Sequence, residues 1–266
     1  MGVAAVRGNT AGVIMTYCVG LLLNDGLVFA SDCRTNAGID NIATYRKMKV
    51  FAKDGDRTLV FLSAGNLAVT QAALSLLEEG TRGKKAGNIL KAPTMFQVAR
   101  LAGEALREVH RIDAEHLKKH NYDFNATLLL GGQIKGEAPR LFQIYAAGNF
   151  IEAMPDTPYF QIGETKYGKP VFDRLLKQSM SLAEAAKLTL ISFDSTIRSN
   201  LSVGLPIDMM CYRRDTLVPG YQERFTEGHP YLAEIRRRWG EALRRSFEDI
   251  APLPMNEAIP ELESVR

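Results

Sequence analysis

TYCVGLLLNDGLVFASD, residues 16–32, decides how this chain is read. Two short apolar runs, Tyr17 to Leu23 and Leu27 to Ser31, flank Asn24-Asp25-Gly26. An Asp-Gly or Asn-Gly pair between apolar runs is a strong hairpin signal, because the tight turn needs backbone with positive φ. A hairpin folds its two ends together. Thr16, which opens the first strand, and Asp32, which closes the second, are therefore expected to be neighbours.

Working outward, a polar loop is expected from Asp32 to Ala43, with Gly38 in it, and a strand from Tyr45 to Phe51. Asp54-Gly55-Asp56 turns that strand into a buried one, Arg57 to Ser63. Two successive hairpins argue for an antiparallel sheet. Gly65-Asn66 ends the run, and helices are predicted from Leu67 to Glu79 and from Thr94 to His120. In the second, Val98, Leu101, Ala105, Val109 and Ile112 recur at helical spacing. Asn125 to Ile134 and Arg140 to Glu152 read as another strand pair. Ser181 and Glu184 make a capping box for a helix to Phe193, and Pro206 to Tyr212 reads as the last strand. Pro230 to Phe247 is an amphipathic helix with Leu232, Ile235, Trp239 and Leu243 on one stripe and five arginines on its other face. Strands alternating with helices in blocks argue for antiparallel sheets covered by helices rather than a βαβ wind.

Composition excludes several classes. The 266 residues are 46% hydrophobic and 24% charged, ordinary values for one globular domain able to bury a large core. Three cysteines, Cys18, Cys33 and Cys211, make neither a disulfide framework nor a zinc site. A net charge of +3 gives no reason to expect nucleic acid, and no apolar run reaches the roughly 20 residues of a membrane span. Arg7 to Thr10 interrupts any secretory core, so a cytoplasmic location is expected. Residues 1–15 read as a leader or an early start, with Met15 a second possible initiator; 16–248 is the domain, and 249–266 a loosely held tail.

The chemistry gathers around the first hairpin. Lys47 opens the third strand and can return to the end that holds Thr16 and Asp32, and Gly65 lies between a strand and a helix, where a backbone N–H can hold an oxyanion. A threonine hydroxyl is a weak nucleophile and needs a base. If Thr16 became the N-terminus, its own α-amine, with a pKa of about 7.7–8.0, would serve.

TYCVGLLLNDGLVFASDCRTNAGIDNIATYRKMKVF, followed by FLSAGN, resembles the front half of a proteasome β-type subunit, and within that family the bacterial proteasome-like group called Anbu. Ile162 to Asp173 and Ser192 to Asp208 share the resemblance, which runs from Thr16 to about Glu248. It implies an N-terminal nucleophile hydrolase of the α+β class: a four-layer αββα sandwich, two antiparallel sheets between helices. Thr16 then matches the catalytic threonine, Asp32 the aspartate that pairs with the lysine, and Gly65 the oxyanion glycine. The lysine is Lys49 if the Lys-Val pair of proteasome β subunits is followed, and Lys47 if the Lys-Met pair of Anbu-like sequences is; the second is favoured. Asp194 and Ser202 match the supports of the nucleophile amine, Glu164 stands where a serine is usual, and Thr35 and Asn36 would line the substrate cleft.

The function implied is a self-compartmentalising threonine hydrolase acting on peptide or amide bonds, built as a ring or spiral of identical subunits and requiring no metal or organic cofactor. The alternatives are a non-proteolytic scaffold subunit and an acyl transferase. No GxxxxGK[ST] loop is present, so any ATPase partner would be another protein.

Overall fold

The computed structural model describes residues 16–36, 42–83, 87–120 and 122–254. The leader 1–15, Gly38 and tail residues 255–266 lie outside them. The hairpin forms with β1 (Tyr17–Leu23) and β2 (Gly26–Asp32) antiparallel, Leu23 opposite Gly26 and Cys18 opposite Ser31. Where a polar loop was expected, the chain forms a small ladder, β3 (Arg34–Asn36) with β4 (Ile42–Thr44). Next come β5 (Met48–Lys53), β6 (Arg57–Gly65), α1 (Leu67–Arg82) and α2 (Met95–Lys119). After them run β7 (Ala126–Ile134), β8 (Arg140–Ile144), β9 (Phe150–Glu152) and β10 (Tyr159–Gly163). The chain continues through α3 (Lys169–Leu175), α4 (Leu182–Ser199), β11 (Ile207–Arg213), β12 (Tyr221–Phe225) and α5 (Pro230–Asp249).

Two five-stranded sheets result, ordered β10-β1-β2-β11-β12 and β5-β6-β7-β8-β9, with every neighbouring pair antiparallel. They stack because strand side chains alternate between faces and both faces are apolar. In β6, Val60 and Leu62 meet Cys18, Phe29 and Leu141 between the sheets, while Leu59 and Phe61 pack under α1 and α2. In β1, Val19 and Leu21 face α3, α4 and α5 instead. The layers are therefore αββα, as the resemblance implied. Gly131 lets the sheets approach: a Cβ there would lie 2.5 Å from the Phe29 ring.

The helix starts follow their caps. Asn66 accepts from the Ala68 and Val69 N–H groups, Thr94 from Gln97, and the Ser181–Glu184 box closes on both sides. Two apolar stripes outrun their cover: Ile112 on α2 is 52% exposed, and on α5 Leu232 and Ile235 are buried while Leu243 is 53% exposed. β10, β12 and α3 are elements the residue pattern did not announce. β10 and β12 have five residues each, and α3 is a seven-residue helix carrying a proline in its first turn.

Candidate active site

The hairpin brings Thr16 and Asp32 to one end of the sheet, as its pairing requires. Asp32 Oδ1 accepts the N–H of Tyr17, the residue next to Thr16, at 3.0 Å. Lys47 Nζ donates to the same oxygen at 2.7 Å and to the Arg34 carbonyl at 2.7 Å. The Lys47 and Asp32 side chains are 3% and 0% exposed. Burial pushes the Asp32 carboxyl up from its ordinary value, and Lys47 and the Tyr17 N–H pull it back. Breaking such a pair from one side strands a buried charge.

The choice of lysine turns on where β5 begins. Lys47 does not open the strand; it precedes Met48, and its carbonyl takes the Ser63 N–H at 3.2 Å. It is therefore free of the strand's alternation and reaches across to Asp32. Lys49, inside β5, pairs with Glu78 of α1 and is a third exposed. Only Lys47 joins the site.

Gly65 ends β6 at φ +105°, and a Cβ there would lie 2.3 Å from the Asn125 carbonyl oxygen. The following Asn66 N–H donates to that carbonyl at 2.6 Å. Thr16 is 2% exposed. Its carbonyl accepts the Glu164 N–H at 2.6 Å, just past Gly163 (φ +85°), which ends β10. A Cβ on Gly163 would fall 1.7 Å from that same carbonyl oxygen. The Glu164 side chain is buried too: Oε1 accepts the Lys166 N–H at 3.1 Å and Oε2 the Asn200 Nδ2 at 2.9 Å.

The remaining expected residues divide. Thr35 is buried in β3, and Asn36 ends that strand. Ser202 is half-buried, and its N–H donates to Asn200 Oδ1 at 2.8 Å, which ties it to Glu164 through one intermediate. Asp194 is engaged elsewhere. Its two oxygens take Arg198 at 3.1 Å and Arg236 of α5 at 2.9 Å, so its hydrogen bonds clamp α4 to α5 instead of supporting the nucleophile. Asn200 was missed, because a polar residue at a helix end reads as a cap, and nothing local shows a carboxylate arriving from residue 164.

The two thiols beside the site are silent. Burial holds Cys18 well above the ordinary thiol value and pushes Cys33 up to about 12, with Asp208 adding to the second. Neither is a thiolate near neutrality, so neither competes with a hydroxyl nucleophile. Among the described residues, no group of three or more His, Cys, Asp or Glu is placed to hold a metal, and no helix is long and apolar enough to cross a membrane.

Comparison with known proteins places the chain in a family. The proteasome subunit family matches residues 15–210. Anbu (ancestral beta-subunit) from Yersinia bercovieri is 52% identical over 91% of this chain and 100% of its own, with a TM-score of 0.85. Anbu from Hyphomicrobium sp. strain MC1 is 49% identical over 90% of this chain and all of its own (TM-score 0.84). A helical assembly of the Anbu complex from Pseudomonas aeruginosa is 47% identical over 90% of this chain and 98% of its own (TM-score 0.86). A search of curated proteins returned no match. The chain belongs to the proteasome subunit family and, within it, to the Anbu proteins.

Proposed function

We propose that this chain is a threonine-type hydrolase of peptide or amide bonds that works in a homo-oligomeric ring or spiral. The observation that carries the reading is the buried Lys47–Asp32 pair, bonded to the backbone N–H adjoining Thr16. Removal of residues 1–15 frees the Thr16 α-amine, which takes the proton of its own hydroxyl. The ammonium of Lys47 favours the anionic oxygen. Thr16 Oγ1 attacks the substrate carbonyl carbon, and the oxyanion is held by the Gly65 N–H. Collapse breaks the C–N bond, with the amine returning its proton to the departing nitrogen. Water then hydrolyses the ester in the same way. Thr35 and Asn36, on β3 beside the site, supply backbone for an extended substrate. The Pseudomonas relative's helical assembly supports self-association, and the site needs no metal or organic cofactor.

A second reading is favoured by one observation: Thr16 is 2% exposed while fifteen residues precede it. If they remain, the amine is an amide and the subunit serves as an inert scaffold. Intact mass and the N-terminal residue of the purified full chain separate the two. Under the first reading the mass begins at Thr16, an electrophilic peptide adds its mass to that residue, and Thr16→Ala abolishes the adduct. A retained leader without an adduct overturns it.

A further inference from the structure

A cavity of about 680 Å3 opens among α4, α5 and the β11–β12 hairpin, away from Thr16. The strand register sets the separation. Ile207 of β11 faces Asp32, whereas Cys211, on the cavity wall, faces Val28, four residues or about 13 Å further along the strand. No residue of the Thr16 site lines it.

The volume lies in the range of small-molecule sites, roughly 300–1,000 Å3, and the lining has their chemistry. Leu182, Leu190, Met209, Val218 and Phe225 supply an apolar body. Two cations line the same space, Lys187 from α4 and Arg213 from β11, and neither makes an ion pair among the described residues. Glu223 on the wall offsets one of them and makes no ion pair with either. Glu223 gives one oxygen to the Tyr221 hydroxyl and the other to His229 Nε2 at 2.9 Å. The cavity is thus mostly apolar, and its lining cations outnumber its one carboxylate.

Its outer wall is held in shape. In the loop from β11 to β12, Asp215 and Leu217 have φ of 65° and 50°, backbone that a branched side chain rarely adopts. That loop is pinned from the inner sheets. Gln133 donates to Asp215 Oδ1 at 2.6 Å and accepts the Asp215 N–H at 2.8 Å, and the Leu217 N–H reaches the Tyr212 hydroxyl at 3.2 Å. The neighbouring Thr216 and Val218 line the cavity. A wall fixed in this way lowers the ordering cost of a ligand.

We propose that this cavity binds an amphipathic carboxylate, its acyl chain in the apolar body and its anionic head drawn by the lining cations Lys187 and Arg213. Charge argues for this occupant over a neutral apolar one, because two cations without an ion pair, against one carboxylate, leave the apolar lining net positive and attract an anion with a tail.

Decanoate and decanol are the probes, added to the full-length protein and followed by calorimetry and by maleimide labelling of Cys211. That thiol lines the cavity, while Cys18 and Cys33 have no exposed surface, so labelling reports on this site. Burial pushes Cys211 up to about 11, which calls for a mildly alkaline reaction. Expected is one saturable decanoate site per chain, protection of Cys211, and binding weakened about tenfold or more by Lys187→Glu with Arg213→Glu. Ala186→Trp, which fills the cavity, removes binding with the circular dichroism unchanged. Equal binding of decanol and decanoate, or an unaffected double variant, overturns the proposal. So does absence of binding up to the solubility limit. If Cys211 is unreactive in the assembled protein and labels only after dilution to monomer, the occupant is a second copy, and the proposal likewise fails.

Discussion

Lys47 Nζ lies 2.7 Å from Asp32 Oδ1, fifteen residues away in sequence and almost without solvent contact. Two buried charges at this distance are stable only together. The Arg34 carbonyl and the Tyr17 N–H add a hydrogen bond to each member of the pair. The pair ties the start of β1, the end of β2 and the approach to β5 into one rigid corner, and Thr16 sits at that corner.

Removing either partner exposes the cost. Lys47→Met leaves the Asp32 carboxylate buried and unpaired, and is expected to lower unfolding free energy by about 3–5 kcal/mol. Acylation of Thr16 should fall at least about a hundredfold. Lys49→Met removes only a solvent-screened pair with Glu78 and should leave stability and acylation close to wild type. Urea titration and timed mass spectrometry with an electrophilic peptide measure both. Equal effects at the two lysines would refute the assignment.

Gly65→Ala should be destabilising by about 1–3 kcal/mol, because the new methyl meets the Asn125 carbonyl and the backbone is left-handed. The strain falls on the amide assigned to the oxyanion. Acylation should therefore drop more steeply than the folded fraction. Comparing the rate with the circular-dichroism melting curve tests this, and a rate that merely tracks folding would assign Gly65 a turn role alone.

Glu164→Ala removes a buried carboxylate that accepts one hydrogen bond from Lys166 and one from Asn200. The expected loss is about 1–3 kcal/mol. Because the Glu164 N–H holds the Thr16 carbonyl, the variant should also slow acylation. Glu164→Gln keeps an acceptor for one of the two donors and should fall between wild type and alanine in both measurements.

Asp208 gives a pH-dependent handle. Burial acts to raise its carboxyl, but Arg224, at 2.6 and 2.7 Å, and Cys33 hold it below the ordinary aspartate value. A depressed folded pKa contributes stability above the unfolded value and loses it as pH falls through the folded one. Arg224→Met should cost about 1 kcal/mol at pH 7, the guanidinium being a third exposed. The penalty should shrink below the ordinary aspartate range. Melting temperatures of both proteins across that range decide it, and a difference that grew on acidification would reverse the sign argued here.

Much of the frame was legible in local chemistry. Asp25-Gly26 announced the hairpin, and Asn66, Thr94 and the Ser181–Glu184 box marked helix starts that the structure places within a residue. The α4 helix runs six residues past the expected Phe193, because Asp194 to Ser199 keep packing and ion-pairing after the clear apolar spacing fades. The β3–β4 ladder was hidden because a polar three-residue strand has no apolar alternation to read, and β10 and β12 are scarcely longer.

The sequence alone determined the two-faced strands, the turn that makes Thr16 and Asp32 neighbours, and the family resemblance from which Thr16 is proposed as nucleophile. These are properties of residues near one another in the chain, or of motifs kept whole. Which lysine meets Asp32, and where Asp194 and Glu164 spend their hydrogen bonds, was decided only by the tertiary structure. The distant partners, Asp32 for Lys47, Asn200 for Glu164 and Arg236 for Asp194, are 15 to 42 residues away and are brought in by sheet stacking and helix docking. A buried charge takes whatever partner the packed fold delivers, and spacing along the chain does not encode that choice.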